Sequence, residues 1–280
     1  MVELNATDKL WRYMDLDKYI NMIAFKDIFM NSLSGYKDDT FENYCDIVAD
    51  IDDREKVEEL FAYYVGKEKA SIKDVLTYTE KQKWLAELFL NIQDATVVSC
   101  WHWNDIQSSA MWNLYASNPE AAVAIRTTYG KLRDTFKEKD GFYIQPVNYI
   151  DYSSFLPDAY DAKWYKRLVY SHEREVRIAK VEDNYGKPKY NPDGSLARTG
   201  KIPHLYPTDI NDLVDYIYIS PYANKIFAET VAAINNKYGI KCPLIFQDQN
   251  YQDYSKEWET PRTKINNVID RNNKLEKLDE

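Results

Sequence analysis

Glycine is scarce in this sequence, with 8 residues in a chain of 280. The chain contains no GxGxxG, GxxxxGKS/T or GxSxG pattern, which argues against Rossmann folds, P-loop proteins, kinases and serine hydrolases. Cysteine and histidine are scarcer still, at three residues each, and they form no CxxC, HxH or HxxxH pair. We therefore predict neither a disulfide framework nor a metal site.

Long apolar runs are also absent. No stretch approaches the length of a membrane span, and residues 1–11 are charged and lack the apolar core of a signal peptide. Together with the three free thiols, this pattern predicts a cytoplasmic protein without a membrane partner. The net charge of −9 argues against a broad basic face for duplex nucleic acid, although it leaves room for a small cluster of cations.

Hydrophobic periodicity predicts a single α+β domain over residues 1–280. After a first strand, residues 1–95 form a mainly helical lobe, which packs on a mixed or antiparallel sheet from residues 96–255, and residues 256–280 form a charged tail. Helices are predicted over 17–29, within 36–95, and over 110–115 and 224–238. Strands are predicted over 10–14, 97–103, 121–128, 142–152, 176–181, 213–219 and 244–246, with an exposed hairpin loop over 182–202.

The aromatic residues are most concentrated between residues 97 and 115. This segment reads as a strand, a turn at Asn104-Asp105 and a helix, and it carries Trp101, Trp103, Trp112 and Tyr115. The arrangement suits the wall of a site for a flat aromatic ligand. It equally suits a hydrophobic core, because large aromatic side chains bury much apolar area.

Residues 173–177 read Glu-Arg-Glu-Val-Arg and open a predicted strand. Period-two alternation places Glu173, Glu175 and Arg177 on one face. Two crowded carboxylates raise at least one pKa unless a cation lies near, so the pair is suited to supply a general base and a charge stabiliser. A solvated strand end with its own arginine partners fits the same pattern.

Arg12 stands between two aromatic residues, Trp11 and Tyr13, in the first predicted strand. The flanking aromatics indicate that one face of this strand is buried. An arginine that projects from a buried element needs a carboxylate or phosphate partner. Two interpretations stay open, an anionic ligand or a structural ion pair with Glu173 or Glu175.

Seven short motifs follow one another along the chain: LWRY at 10–13, SCWH at 99–102, AMWNLY at 110–115, VAIRTT at 123–128, VNYID at 147–151, EREVR at 173–177 and ISP at 219–221. In this order they resemble a bacterial family, the domain of unknown function twenty-nine seventy-one, over roughly residues 10–250. The order Arg, Ser and Glu-x-Glu on successive strands is in turn similar to the Arg-Ser-Glu class of ADP-ribosyltransferases. That resemblance implies a split sheet that binds NAD without a glycine loop.

The resemblance also implies a role for each residue that it matches. Arg12 would bind the phosphates and ribose of NAD, and Ser99 would orient the nicotinamide ribose. Glu175 would stabilise the positive charge that builds on the ribose as nicotinamide leaves, and Glu173 would deprotonate the acceptor. The aromatic residue that stacks on NAD would be one of Trp103, Trp112 and Tyr115. Only the first serine of the usual Ser-Thr-Ser strand is present, since Cys100 and Trp101 follow Ser99.

These expectations combine into an NAD-consuming ADP-ribosyltransferase that acts on a macromolecule, RNA or protein. The resemblance further implies a toxin of a bacterial defence, antiviral or toxin–antitoxin system, with an antitoxin as a partner. Two alternatives stay open. One is an NAD glycohydrolase with water as acceptor, and the other is a non-catalytic binding module in which Arg12 and Glu175 form a structural pair.

Overall fold

The computed structural model describes residues 3–36, 41–66, 76–137, 141–182 and 204–246, and strands and helices are interspersed along them. The strands are β1 (Lys9–Asp15), β2 (Asp27–Ser32), β3 (Thr96–Trp103), β4 (Ala122–Thr128), β5 (Phe142–Pro146), β6 (Asn148–Ile150), β7 (Tyr165–Arg167), β8 (Glu175–Val181), β9 (His204–Pro207), β10 (Tyr216–Ile219) and β11 (Leu244–Ile245). The helices are α1 (Leu16–Phe25), α2 (Asp46–Asp50), α3 (Arg54–Val65), α4 (Tyr78–Ala95), α5 (Ser109–Tyr115), α6 (Tyr129–Lys137), α7 (Ile210–Leu213) and α8 (Lys225–Tyr238). The fold is mixed α/β.

Nine of these strands form one mixed sheet. Along its main path the order is β11-β10-β4-β1-β3-β2-β9, and β8 pairs with both β3 and β5. The pairings are antiparallel except for the parallel pair β10–β11. Strands β6 and β7 form a separate parallel pair. The predicted mixed sheet is therefore present.

The sheet is split beside β3. Strand β8 pairs with β3 from Thr96 to His102 and so occupies one edge of it. The other edge is shared, because β2 pairs at Val97 and Val98 whereas β1 pairs at His102 and Trp103. Between these two partners, residues 99–101 of β3 face a gap in the described sheet. The gap lies where β1 and β2 diverge.

Two main hydrophobic clusters hold these layers together. The first is the sheet core, in which α1 and α8 pack on the sheet through Tyr19, Ile23 and Val231. The second joins α2, α3 and α4 into a helical lobe, with Ile47, Phe61, Leu85 and Ile92 among its members and with Ala159 and Ala162 from the later chain. Three helices from the N-terminal region therefore share one core, which residues from later in the chain complete.

The helix predicted over 17–29 is too long. Helix α1 ends at Phe25, Lys26 adopts a left-handed backbone with φ of 54°, and β2 begins at Asp27. Burial of Ile28 and Met30 follows the period of a strand, and β2 pairs with both β3 and β9. The apolar residues near the end of this segment are few enough to fit either the helical or the strand period, which explains the error.

Other boundaries differ more locally. The strand predicted over 142–152 is divided after Pro146 into β5 and β6, and the strand predicted over 213–219 begins only at Tyr216. Most of the predicted hairpin loop over 182–202 lies outside the described residues, and β9, the next described strand, pairs with β2. The tail 256–280 also lies outside the described part of the chain. All described residues fall within one compact unit, Met1–Asp248, so the single domain over 1–280 stays a prediction. No described helix is long and apolar enough to cross a membrane.

Candidate active site

A cluster of buried charges lies at the start of β8. The Nζ atom of Lys166 is 2.6 Å from Glu173 Oε2 and 2.8 Å from Glu175 Oε2. Arg177 donates from Nε to Glu175 Oε1 at 2.5 Å, and its Nη2 is 2.7 Å from Oε1 of Glu42. Each of these five side chains is at most 11% exposed. Three carboxylates therefore face two cations away from bulk water.

Local backbone geometry creates this cluster. Glu173 ends a three-ten helix, Leu168–Glu173, and Arg174 then adopts a left-handed conformation with φ of 42° before β8 begins at Glu175. Glu173 is therefore not part of the strand, contrary to the simple alternation predicted from sequence. The turn at Arg174 nevertheless brings both carboxylates to Lys166. The crowding of the pair is thus real, and the nearby cation is Lys166.

The pKa values of the Glu173 and Glu175 carboxyls are shifted in opposite directions. Burial raises the pKa of Glu173, and the contact with Lys166 only partly opposes this. Burial also disfavours the charged form of Glu175, but Arg177 and Lys166 outweigh it and hold the pKa of Glu175 well below its ordinary value. A pair of carboxyls with separated pKa values is the arrangement that supplies one stable anion and one proton-transfer group.

Arg12 lies at the split of the sheet. It follows Trp11, the last β1 residue that pairs with β3, and its Nη2 donates to the carbonyl of Phe29 in β2 at 3.0 Å. Its guanidinium carbon lies 5.8 Å from the centroid of the Trp101 ring. Among the described residues no carboxylate lies within ion-pair distance of Arg12, so the proposed structural pair with Glu173 or Glu175 is not formed.

Ser99 and Glu175 occupy opposite faces of the sheet. Residues paired directly across two strands share a face, and β3 pairs His102 with Glu175, whereas Ser99 pairs with Ile178. Ser99 is 1% exposed and points to the side of the apolar core, where its Oγ has no hydrogen-bond partner among the described residues. The structure thus does not bring Ser99 together with Glu175.

Cys100 takes the position on the Glu175 face. It pairs across the strands with Arg177, and its Sγ lies 3.6 Å from the hydroxyl of Tyr36. Burial raises the pKa of the Cys100 thiol to about 12, so it stays protonated at neutral pH. Burial lowers the pKa of Arg12, while the nearby Tyr36 and Cys100 oppose this change. Tyr36 and Cys100 therefore connect the Arg12 end of the site to Glu175.

Two more tyrosines and a histidine border the carboxyl pair. The hydroxyl of Tyr115 donates to Glu173 Oε2 at 3.4 Å, and the backbone N–H of Glu175 donates to the Tyr149 hydroxyl at 2.8 Å. Nδ1 of His102 lies 2.6 Å from the carbonyl of Glu173 and so carries its proton, since a carbonyl only accepts. These contacts fix the backbone on which both carboxylates stand.

The three aromatic residues predicted to stack on a ligand differ in exposure. Trp112 is fully buried, packs edge-on against Tyr13 at 4.8 Å and donates from Nε1 to Gln107, so both its ring faces are covered. Trp103 is half-buried beneath the guanidinium of Arg174, 5.3 Å from its ring centroid. Tyr115 is 36% exposed and is the one that touches the carboxyl pair.

Several members of the site were missed by sequence reasoning. Arg177 lies on the predicted face of β8, where the sequence offers it only as an arginine partner of a solvated strand end, and its spacing from Glu175 is the signal for a closer role. Lys166 and Glu42 have no such signal, because they reach the cluster from β7 and from the loop before α2. No group of His, Cys, Asp or Glu suited to a metal ion occurs among the described residues.

The chain matches no family model, and no curated protein matches it. Membership of the domain of unknown function twenty-nine seventy-one therefore stays a prediction. Among solved structures, "Thermus sp. 2.9 DarT in complex with NAD+" is 6% identical, with a TM-score of 0.38, and the match covers 89% of this chain and 100% of that chain. "Thermus sp. 2.9 DarT in complex with ADP-ribosylated ssDNA" is 7% identical, with a TM-score of 0.39, and covers 89% and 99%. At TM-scores below 0.5, neither likeness decides the fold or the activity of this chain.

Proposed function

We propose that this chain is an NAD-dependent ADP-ribosyltransferase that transfers ADP-ribose to a macromolecular acceptor. The observation that carries the proposal is the pair Glu173 and Glu175 beside the split that holds Arg12. The pair combines a carboxylate that stays charged with a second carboxyl of raised pKa. Arg12 adds a cation that no described carboxylate neutralises.

This arrangement suits the chemistry of NAD cleavage. The bond between ribose C1′ and the nicotinamide nitrogen breaks, its electron pair leaves with nicotinamide, and positive charge develops on the ribose. A fixed anion such as Glu175 stabilises that charge, and Glu173 accepts the proton of the acceptor atom as it bonds to C1′. In this proposal Arg12 binds a phosphate oxygen of NAD, and Tyr115 contacts the nicotinamide, which its exposure and its contact with Glu173 support. Ser99 would need to act from the opposite face, so Cys100 and Tyr36 replace it here.

The charge cluster also supports the second candidate, a non-catalytic binding module. Both carboxylate oxygens of Glu175 have cationic partners within the protein. In that case the cluster fixes the fold, and NAD is not consumed. An NAD glycohydrolase, with water as acceptor, uses the same residues as the transferase and differs only in the acceptor.

The test is transfer of label from NAD carrying a radioactive adenylate phosphate to a bacterial lysate, with protein, RNA and DNA then separated. Arg12→Gln is the informative variant, because removing Arg12 strands no carboxylate, and Arg133→Gln at an exposed position is its matched control. We expect label in one macromolecular fraction, and a KM for NAD at least about tenfold higher in Arg12→Gln.

Each result separates the candidates. Nicotinamide release without transferred label would identify a glycohydrolase. An absence of NAD turnover in every fraction would contradict both enzymes and support the binding module. Label found in protein, in RNA or in DNA would name the acceptor class. The role as a toxin is tested by growth arrest on expression.

A further inference from the structure

The buried lysine Lys166 has no role in the mechanism so far. Its Nζ is the only described cation within ion-pair distance of both carboxylates, at 2.6 Å from Glu173 and 2.8 Å from Glu175. It is 11% exposed, and it reaches the pair from the short strand β7. A lysine that is taken out of water costs desolvation energy, so its position needs a reason.

Charge balance supplies that reason. Glu42, Glu173 and Glu175 carry three negative charges when ionised, whereas Lys166 and Arg177 carry two positive charges. One carboxyl therefore lacks a full counter-charge. Arg177 contacts Glu175 and Glu42, so among the described residues Lys166 is the cation that lies within ion-pair distance of Glu173.

We propose that Lys166 is a positioning residue that sets the protonation of the carboxyl pair, keeping Glu175 charged and Glu173 available as the base. This inference rests on the proposed function and assigns a new residue to the same site. Lys166 touches neither NAD nor the acceptor in this role and acts through Glu173. Proton transfer from the acceptor then converts the Glu173 carboxylate to its acid while Lys166 stays charged.

Other groups that face the pair must be considered in any pH measurement. The titratable and charged neighbours among the described residues include Glu42, Arg177, Tyr36, Cys100, Tyr115, Tyr149, Tyr170 and His102. Burial raises the pKa of Tyr115 and of Tyr149 above the ordinary value, so both phenols stay neutral in the range where the carboxyls titrate. Burial lowers the pKa of His102, which keeps the imidazole neutral near pH 7. The phenols therefore make no contribution to the acidic limb of a pH profile, and the share of His102 in that limb is measured with His102→Asn.

The test compares Lys166→Met with Lys166→Arg in the full chain. Lys166→Met removes a cation that favours the charged form of both carboxyls, so the pKa of each carboxyl rises. We therefore expect the acidic limb of the kcat/KM profile for nicotinamide release to move to higher pH by about one unit or more. Arginine keeps the positive charge, so we expect the acidic limb in Lys166→Arg to lie at the same pH as in the wild type. Lys81→Met is the matched control, because Lys81 is also buried and paired, with Glu58, but lies in the helical lobe.

A second readout does not depend on activity. Carbon-13 NMR of the glutamate side-chain carboxyls, assigned with Glu173→Gln, follows both titrations in the wild-type protein. We expect two separate steps, the Glu175 carboxyl titrating below and the Glu173 carboxyl above the ordinary range, and an upward move of both in Lys166→Met. Two carboxyls that titrate together in the ordinary range, or an acidic limb unmoved in a folded Lys166→Met variant, would overturn the assignment.

These readouts keep the two proposals apart. A protein that shows no NAD turnover but has the separated titrations fails as an enzyme while Lys166 still sets the charges. If the wild type turns over NAD and the acidic limb of Lys166→Met lies at the wild-type pH, the proposed function stands and the role of Lys166 is rejected. Should Lys166→Met not fold, the wild-type titration and the Lys166→Arg profile decide.

Discussion

Arg12 and Glu175 differ in what their removal leaves behind. Glu175→Gln removes the carboxylate that contacts both Arg177 and Lys166, although each cation keeps one other carboxylate, and we expect it to lower the free energy of unfolding by about 3 kcal/mol. Arg12→Gln removes a side chain that has one hydrogen bond to a backbone carbonyl, so we expect a loss of about 1 kcal/mol. Urea unfolding of the two variants measures both values.

This contrast changes how a loss of activity is interpreted. An inactive Glu175→Gln variant has two explanations, because unfolding removes activity as effectively as a missing charge does. An inactive but stable Arg12→Gln variant has only the explanation that Arg12 binds substrate. Equal destabilisation by the two substitutions would contradict the charge distribution described here.

His102 predicts how stability depends on pH. Burial lowers the pKa of His102 in the folded protein below its ordinary value of 6.5. A group with a lowered folded pKa stabilises the fold above its unfolded pKa, and that contribution is lost as the pH falls. We therefore expect the free energy of unfolding to fall between about pH 6.5 and pH 5, and to fall less in His102→Asn.

The asparagine substitution keeps a donor near Nδ1, which preserves the contact with the Glu173 carbonyl. His172→Asn, at an exposed position, is the matched control. The measurement is urea unfolding at half-unit pH steps, with the two variants compared with the wild type. An identical pH slope in His102→Asn and the wild type would contradict a buried neutral imidazole.

The site residues could be predicted from sequence only where they lie close together along the chain. Glu173, Glu175 and Arg177 lie within five positions, so their meeting is a local property of the chain. Lys166 and Glu42 meet them only because β7 and the loop before α2 pack on β8, and no pattern in the sequence announces that contact. Ser99 was chosen by resemblance, and strand register decides that it faces the core.

At the scale of elements, helix α5 shows two faces with different tasks. Trp112 packs into the core beneath α5, so we expect Trp112→Ala to cost about 3 to 5 kcal/mol. Tyr115 stands on the side of the carboxyl pair, and Tyr115→Phe removes only the hydroxyl that lies 3.4 Å from Glu173. We expect Tyr115→Phe to change stability by less than about 1 kcal/mol and to change the pH profile of NAD turnover.

Thermal unfolding and a pH–rate profile of the two variants check this division. A stable Trp112→Ala variant with weaker NAD binding would contradict this division and indicate that Trp112 contacts NAD. Sequence alone could not choose between them, because a seven-residue helix with four aromatic or large apolar side chains has no clear polar face. Packing against β1 settles the choice.

The split of the sheet also arises between elements. Strand β3 has three partners, and since β8 occupies one edge, β1 and β2 must share the other. The sequence predicts β1, β3 and β8 separately from their alternation. It predicts neither β2 nor β9, because β2 follows a helix without a glycine stop and β9 is a four-residue strand. The gap could therefore be expected only from resemblance.

At the scale of the whole molecule, the sheet interleaves distant parts of the chain. Strand β1 lies between β3 and β4, and β2 lies between β3 and β9, so each N-terminal strand needs partners from beyond residue 95. The helical lobe has the same dependence. Asp46 donates from its backbone N–H to the carbonyl of Pro157, and the backbone N–H of Ala159 donates to the Tyr64 hydroxyl.

A fragment of residues 1–95 should therefore not fold alone, even though the sequence marks this stretch as a lobe. Without residues 96–246, β1 loses its partners β3 and β4, and β2 loses its partners β3 and β9. The helical core also loses Ala159 and Ala162. We expect a narrow amide dispersion in its NMR spectrum and no cooperative thermal transition, with the full chain as the control. Dispersed resonances and a sharp transition would instead show that the helices form an independent folding unit, and the buried contacts to residues 157–162 would then be a docking interface rather than part of one core.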